Sequence, residues 1–106
     1  MGKKQIQKSL RVFVKRAEKE VKAEKVILFG SVARGQTNDY SDVDVIVLSK
    51  MFAKIPQEKR LDFLYPLTAG LQPDFHPFGY TPSEFAKLSD LISISEAKKT
   101  GVVIRS

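Results

Sequence analysis

Two short runs of aliphatic and β-branched residues most restrict what this chain can fold into. Val26-Ile27-Leu28-Phe29 is halted at Gly30, and Asp42-Val43-Asp44-Val45-Ile46-Val47-Leu48 follows a polar stretch. Each is too short to be a core helix and rich in residues that fit a pleated surface, so both read as strands. The first is apolar throughout, as a strand covered on both faces must be. The second alternates acidic and apolar residues at its start and is continuously apolar after that. A sheet that is buried at one end and polar at the other must have helices to cover it.

The rest of the chain supplies them. From Gln5 to Val21, Ile6, Leu10, Phe13, Val14, Ala17 and Val21 recur at three- and four-residue steps, the signature of an amphipathic helix. Gly30-Ser31-Val32-Ala33-Arg34-Gly35 has room for about one helical turn, and 36–41 is polar loop. Pro56 is suited to the first position of a helix running through Arg60, Leu61, Leu64 and Tyr65. Gly70 and Pro73 bracket a break. Asp74 to Tyr80 reads as extended, with Pro77 confining it to a sheet edge or a bulge. Thr81-Pro82-Ser83-Glu84 is a helix start, with Thr81 as cap and Glu84 closing a capping box. Helix is expected through Leu88 and again around Leu91 to Lys99, with a last strand at Val102-Val103-Ile104. The expected fold is therefore α/β (α+β): a small mixed β-sheet with helices packed on it, in a single domain over 1–106.

Composition narrows the chemistry. The chain of 106 residues has no cysteine and one histidine, His76, which excludes disulfides, thiolate metal sites and multi-histidine zinc sites within one chain. The lack of cysteine agrees with a cytoplasmic setting, and no apolar run approaches the ~20 residues of a membrane span. Eighteen Lys and Arg against twelve Asp and Glu give a net charge of +6, which favours acidic partners such as nucleotides. Nine of these basic residues crowd the first quarter. They fit a solvated helix face, and no aromatic residues interleave them as single-strand stacking would require.

The polar chemistry therefore falls to carboxylates, hydroxyls and basic groups, and two features concentrate them. Gly30-Ser31 sits at a strand exit entering a short helix, where backbone N–H groups can approach an anion and Arg34 can grip phosphate oxygens. Alone, that pattern is more often a simple turn. Asp42 and Asp44 fall on one face of a strand with α-carbons ~6.6 Å apart. At that spacing their charges repel by ~2.5 kcal/mol at an effective dielectric of about 20. A hard divalent cation such as Mg²⁺ relieves that repulsion. An exposed strand start would relieve it as well. Taken together, phosphate donors beside metal ligands form the layout that binds a nucleoside triphosphate.

Gly30-Ser31-Val32-Ala33-Arg34-Gly35, five residues, then Ser41-Asp42-Val43-Asp44 resembles the G-S-x-A-R-G-x5-S-D-x-D signature of the minimal nucleotidyltransferases. These are the smallest members of the DNA polymerase β-like superfamily, and the likeness extends over nearly the whole chain. The resemblance implies a polymerase β-like nucleotidyltransferase fold and a third carboxylate on a later strand leading to a T-P-x-E-F helix start. Asp74, ahead of Thr81-Pro82-Ser83-Glu84-Phe85, is the matching position. Asp62 and Asp90 fall in or beside predicted helices and match less well. Two departures stand out: Pro73 and Pro77 flank the segment, and His76 occupies a usually apolar position. His76 reads either as a surface histidine near an acidic group or as a proton-handling or nucleotide-contacting one.

By this resemblance, Asp42, Asp44 and Asp74 are the catalytic residues and hold one or two Mg²⁺ ions. Gly30, Ser31, Arg34 and Ser41 bind the phosphates of ATP, the substrate. AMP passes from ATP to a hydroxyl, and the resemblance implies a tyrosine on a small helical HEPN-domain toxin, with this chain as antitoxin. No recognition domain fits in this length, so the acceptor is expected on a partner. Membrane is not an expected partner, nor is nucleic acid a direct substrate; a homo-oligomer stays open. The alternative is a non-catalytic module that binds nucleotide or partner, its carboxylates being relics. An RNA-binding protein has only net charge in its favour. The acceptor and the preferred base are not legible.

Overall fold

The computed structural model describes residues 3–29, 43–72, 74–87 and 102–104. Helix α1 spans Lys3–Val21. Each of its six periodic apolar residues, from Ile6 to Val21, is buried, so the pattern read from sequence is the packing face. The helix ends where Lys22 adopts a left-handed φ of 52°. There the Ala23 N–H reaches back six residues to the Ala17 carbonyl at 3.2 Å, across the end of the helix.

Strand β1 (Lys25–Phe29) pairs antiparallel with β2 (Val43–Leu48), with Lys25 opposite Leu48 and Phe29 opposite Asp44. Between β2 and the next strand come a 3-10 turn over Lys50–Lys54, helix α2 over Gln57–Leu64, and a second 3-10 turn over Tyr65–Thr68. Strand β3 (Phe75–Tyr80) then pairs parallel with β2, and β4 (Val102–Ile104) pairs antiparallel with β1. The order β3-β2-β1-β4 is the mixed sheet expected from sequence. Helix α3 (Pro82–Lys87) follows β3. No helix among the described residues is long and apolar enough to cross a membrane.

Strand alternation divides the apolar residues between two layers. Val26, Leu28, Val43, Val45, Val47 and Phe75 face α1 and, with Phe52 and Leu64, form the main core. Ile27, Ile46, Leu48 and Tyr80 form a smaller cluster with Phe85 of α3 on the opposite face. Ser49, just past β2, ties the sheet to α1. Its buried hydroxyl donates to the Val21 carbonyl at 2.6 Å and accepts from the Met51 N–H at 3.2 Å.

The capping box forms as expected. Thr81 N–H donates to Glu84 Oε1 at 2.8 Å, and Glu84 N–H donates to Thr81 Oγ1 at 3.0 Å. Pro77 lies on the edge strand. Pro56, expected at the first helical position, is instead the cap of α2, with an extended ψ of 143°. Of the remaining sequence readings, the turn after Gly30, Leu88, and the helix around Leu91 to Lys99 lie outside the described residues.

Candidate active site at the β2–β3 end of the sheet

Strand β2 brings Asp44 to the second position from its start. The residues of its own parity, Ile46 and Leu48, point to the smaller cluster, so Asp44 turns to that face and away from the main core. It is half-buried there, between Phe29 of β1 and His76 of β3 in register. His76 is exposed, so the sequence reading of a surface histidine near an acidic group describes its position.

Asp74 directly precedes β3 and is exposed. Its carbonyl accepts the N–H of Val43 at 2.8 Å, which locks the entry of β3 to the entry of β2. Parallel pairing thus delivers Asp44 and Asp74 to the same end of the sheet from adjacent strands. Strand spacing along and across the sheet puts their α-carbons about 8 Å apart. Asp62 is exposed on α2 and takes no part in this end of the sheet. Gly30, Ser31, Arg34, Ser41 and Asp42 lie outside the described residues.

The chain segment leading to Asp74 is held from α1. Arg16 donates to the carbonyls of Leu67 and Ala69 at 3.0 and 2.8 Å, and Ser9 Oγ donates to the Gln72 carbonyl at 2.9 Å. Between these anchors Gly70 turns the chain with a φ of 76°, a conformation glycine adopts without steric cost. Nothing in the α1 pattern announced this: Arg16 read as part of the solvated basic face, and the acceptors of Ser9 and Arg16 are main-chain atoms more than fifty residues on.

A second unannounced arrangement lies at the far end of β3. Buried Arg60 of α2 directs its five N–H donors to the carbonyls of Ile55, Phe52 and Gly79 and to both carboxylate oxygens of Glu84. The Arg60 hydrogen bonds hold the Glu84 carboxyl below its ordinary range, against a smaller opposing effect of burial. The capping residue of α3 is thereby fixed to α2.

Asp44 and Asp74 supply carboxylate oxygens, the hard donors that magnesium takes, so the described half of the site fits that ion chemically. Among the described residues no group of three His, Cys, Asp or Glu could hold a metal.

The fold agrees with what the chain resembles. A protein of Sulfolobus solfataricus, known from its crystal structure and provisionally named a nucleotidyltransferase, superposes with a TM-score of 0.56. The two are 22% identical, over 97% of this chain and 87% of that one, a likeness of fold. No curated protein matches the chain significantly. The family description "Nucleotidyltransferase domain" matches residues 10–100, from the middle of α1 past α3, and takes in both strand starts that bear Asp44 and Asp74. By that match the chain belongs to the nucleotidyltransferase domain family.

Proposed function

We propose that the protein is a magnesium-dependent nucleotidyltransferase that moves AMP from ATP to a hydroxyl group. In this reading the acceptor is a tyrosine on a small helical partner of the HEPN type, and the chain acts as its antitoxin. The observation that supports it most is the hydrogen bond from Val43 N–H to the Asp74 carbonyl, which sets two carboxylate-bearing strand starts side by side in a chain of this family.

Asp42, Asp44 and Asp74 would hold one or two Mg²⁺ ions. Bound there, magnesium supplies positive charge that offsets the phosphate oxygens and the charge developing in transfer. Gly30 and Ser31 would offer hydrogen-bond donors to the β- and γ-phosphates, with Arg34 and Ser41 beside them. Asp74, exposed at the mouth of the site, would take the proton of the acceptor hydroxyl. The freed oxygen attacks the α-phosphorus in line, the bond to the bridging oxygen breaks, and pyrophosphate leaves. The chain's contribution is mostly positioning and charge.

The test is incubation with ATP labelled at the α-phosphate, Mg²⁺ and the product of the adjacent reading frame. Label should pass to that protein's tyrosine with the native chain and not with Asp44→Asn. A folded native chain that transfers nothing would defeat the reading.

A further inference from the structure

Beside Asp74 opens a groove of about 480 Å³ between α2 and the edge strand β3. Its wall carries three large apolar side chains that a lone chain would be expected to cover: Leu61 is 51% exposed, Tyr65 63% and Phe78 41%. Leu61 and Tyr65 stand four residues apart, on one face of α2 and its C-terminal cap, and Phe78 projects from the strand. Leu71 extends the apolar lining toward Asp74.

The charge of this groove is unlike that of the molecule. The chain carries 18 Lys and Arg, yet none is among the described residues lining it; the carboxylate there is Asp74 and the imidazole is His76. A nucleic acid strand lying along Leu61, Tyr65 and Phe78 would find no described Lys or Arg to receive its phosphates. An apolar protein segment, neutral or basic, meets matching surface instead.

We propose that this groove docks the acceptor: a protein segment that lays aliphatic or aromatic side chains on Leu61, Tyr65 and Phe78 and so presents a neighbouring hydroxyl to Asp74. The proposal rests on the nucleotidyl-transfer reading for the fate of that hydroxyl, but the docking itself stands on groove shape and charge. It assigns acceptor choice to α2 and β3, apart from the phosphate-binding residues.

The probes are a fluorescein-labelled peptide in which valine and leucine flank a central tyrosine, and a labelled oligoadenylate RNA. Fluorescence anisotropy with the full chain should show the peptide binding, and Leu61→Glu and Tyr65→Glu should each raise its Kd about ten-fold or more. Phe63→Glu, on the same helix but outside this groove, should leave it unchanged, and circular dichroism should show all three variants folded. Absence of peptide binding, indifference to both groove substitutions, or displacement of the peptide by the RNA would each overturn the proposal. Calorimetry of MgATP with the native chain separates the two readings. Groove-dependent peptide binding without MgATP uptake upholds the docking surface and removes nucleotidyl transfer.

Discussion

The guanidinium of Arg60 holds the carboxylate of Glu84 with both terminal nitrogens, at 2.6 and 3.0 Å, while Glu84 also caps the helix that follows β3. One carboxylate thus joins α2, the end of β3 and the start of α3. Because the Glu84 side chain is 43% exposed and that of Arg60 only 6%, the two halves of the pair are not equivalent. Removing the arginine strands three main-chain carbonyls and a buried contact, so Arg60→Ala should cost about 3 kcal/mol in urea unfolding. Glu84→Gln keeps most of the cap and should cost about 1 kcal/mol or less.

The same pair sets an acid limit. The folded Glu84 carboxyl titrates below its ordinary value of 4.5, so its contribution is complete above that value and is lost as pH falls through the lowered one. The gap in melting temperature between the native chain and Glu84→Gln should be constant above pH 4.5 and close as the solution is acidified below it. Thermal melts across that window check the sign.

Asp44→Asn keeps the shape of a half-buried strand residue and removes its charge. Transfer of AMP should fall by about a hundred-fold or more, the usual loss when one electrostatic contributor to a transition state is removed. Partner binding should persist. Chelation of Mg²⁺ from the native chain should reproduce the loss, and added Mg²⁺ should restore it. Retained protection of the partner by Asp44→Asn would favour a purely steric role.

Arg16 reaches across from α1 to two carbonyls of the turn that precedes Asp74. Arg16→Met retains the aliphatic stem but not the two bonds, so the approach to Asp74 loosens. Turnover should drop about ten-fold while MgATP affinity stays within about two-fold, and Arg16→Lys should recover only part. Equal loss of affinity and turnover would assign Arg16 a merely structural part.

Two backbone positions give opposite predictions. A Cβ at Gly79 would stand 3.0 Å from one Phe52 ring carbon and 3.1 Å from Leu64 Cδ1, both in the packed core. Gly79→Ala should destabilise by about 2 kcal/mol. Lys22 already carries a side chain at a φ of 52°, so Lys22→Gly should stabilise by about 0.5 kcal/mol. Urea titrations of both variants report each sign.

How far the sequence could be read depended on whether a feature was local. The six apolar residues of α1, the Thr81–Glu84 capping box and the edge position of Pro77 are each set by neighbours within a few residues, and each took the expected form. The spacing of Asp42 and Asp44 and the match at Asp74 pointed to the strand starts that pair at one end of the sheet. Arg60 was not legible: a charged residue in a short helix reads as exposed, and its burial depends on Glu84, 24 residues away. Leu61 and Tyr65 read only as lying on α2, with no face assigned, and the helix buries Arg60 and Leu64. Apolar periodicity locates a face without saying what covers it. The 3-10 turn at Lys50–Lys54 links β2 to α2, and the one at Tyr65–Thr68 leads from α2 toward β3; the sequence reading named neither.

Strand β3 is an edge of the sheet, and its outward main-chain groups decide what could pair with it. The carbonyls of Asp74 and Tyr80 bond toward β2, so the odd-numbered residues between them turn their main-chain groups outward. Pro77 has no N–H to offer there, and the Gly79 carbonyl is already taken by Arg60. The outer border therefore lacks the unbroken row of donors and acceptors on which cross-β stacking grows, and a crowded cell gains little purchase for fibril seeding along it.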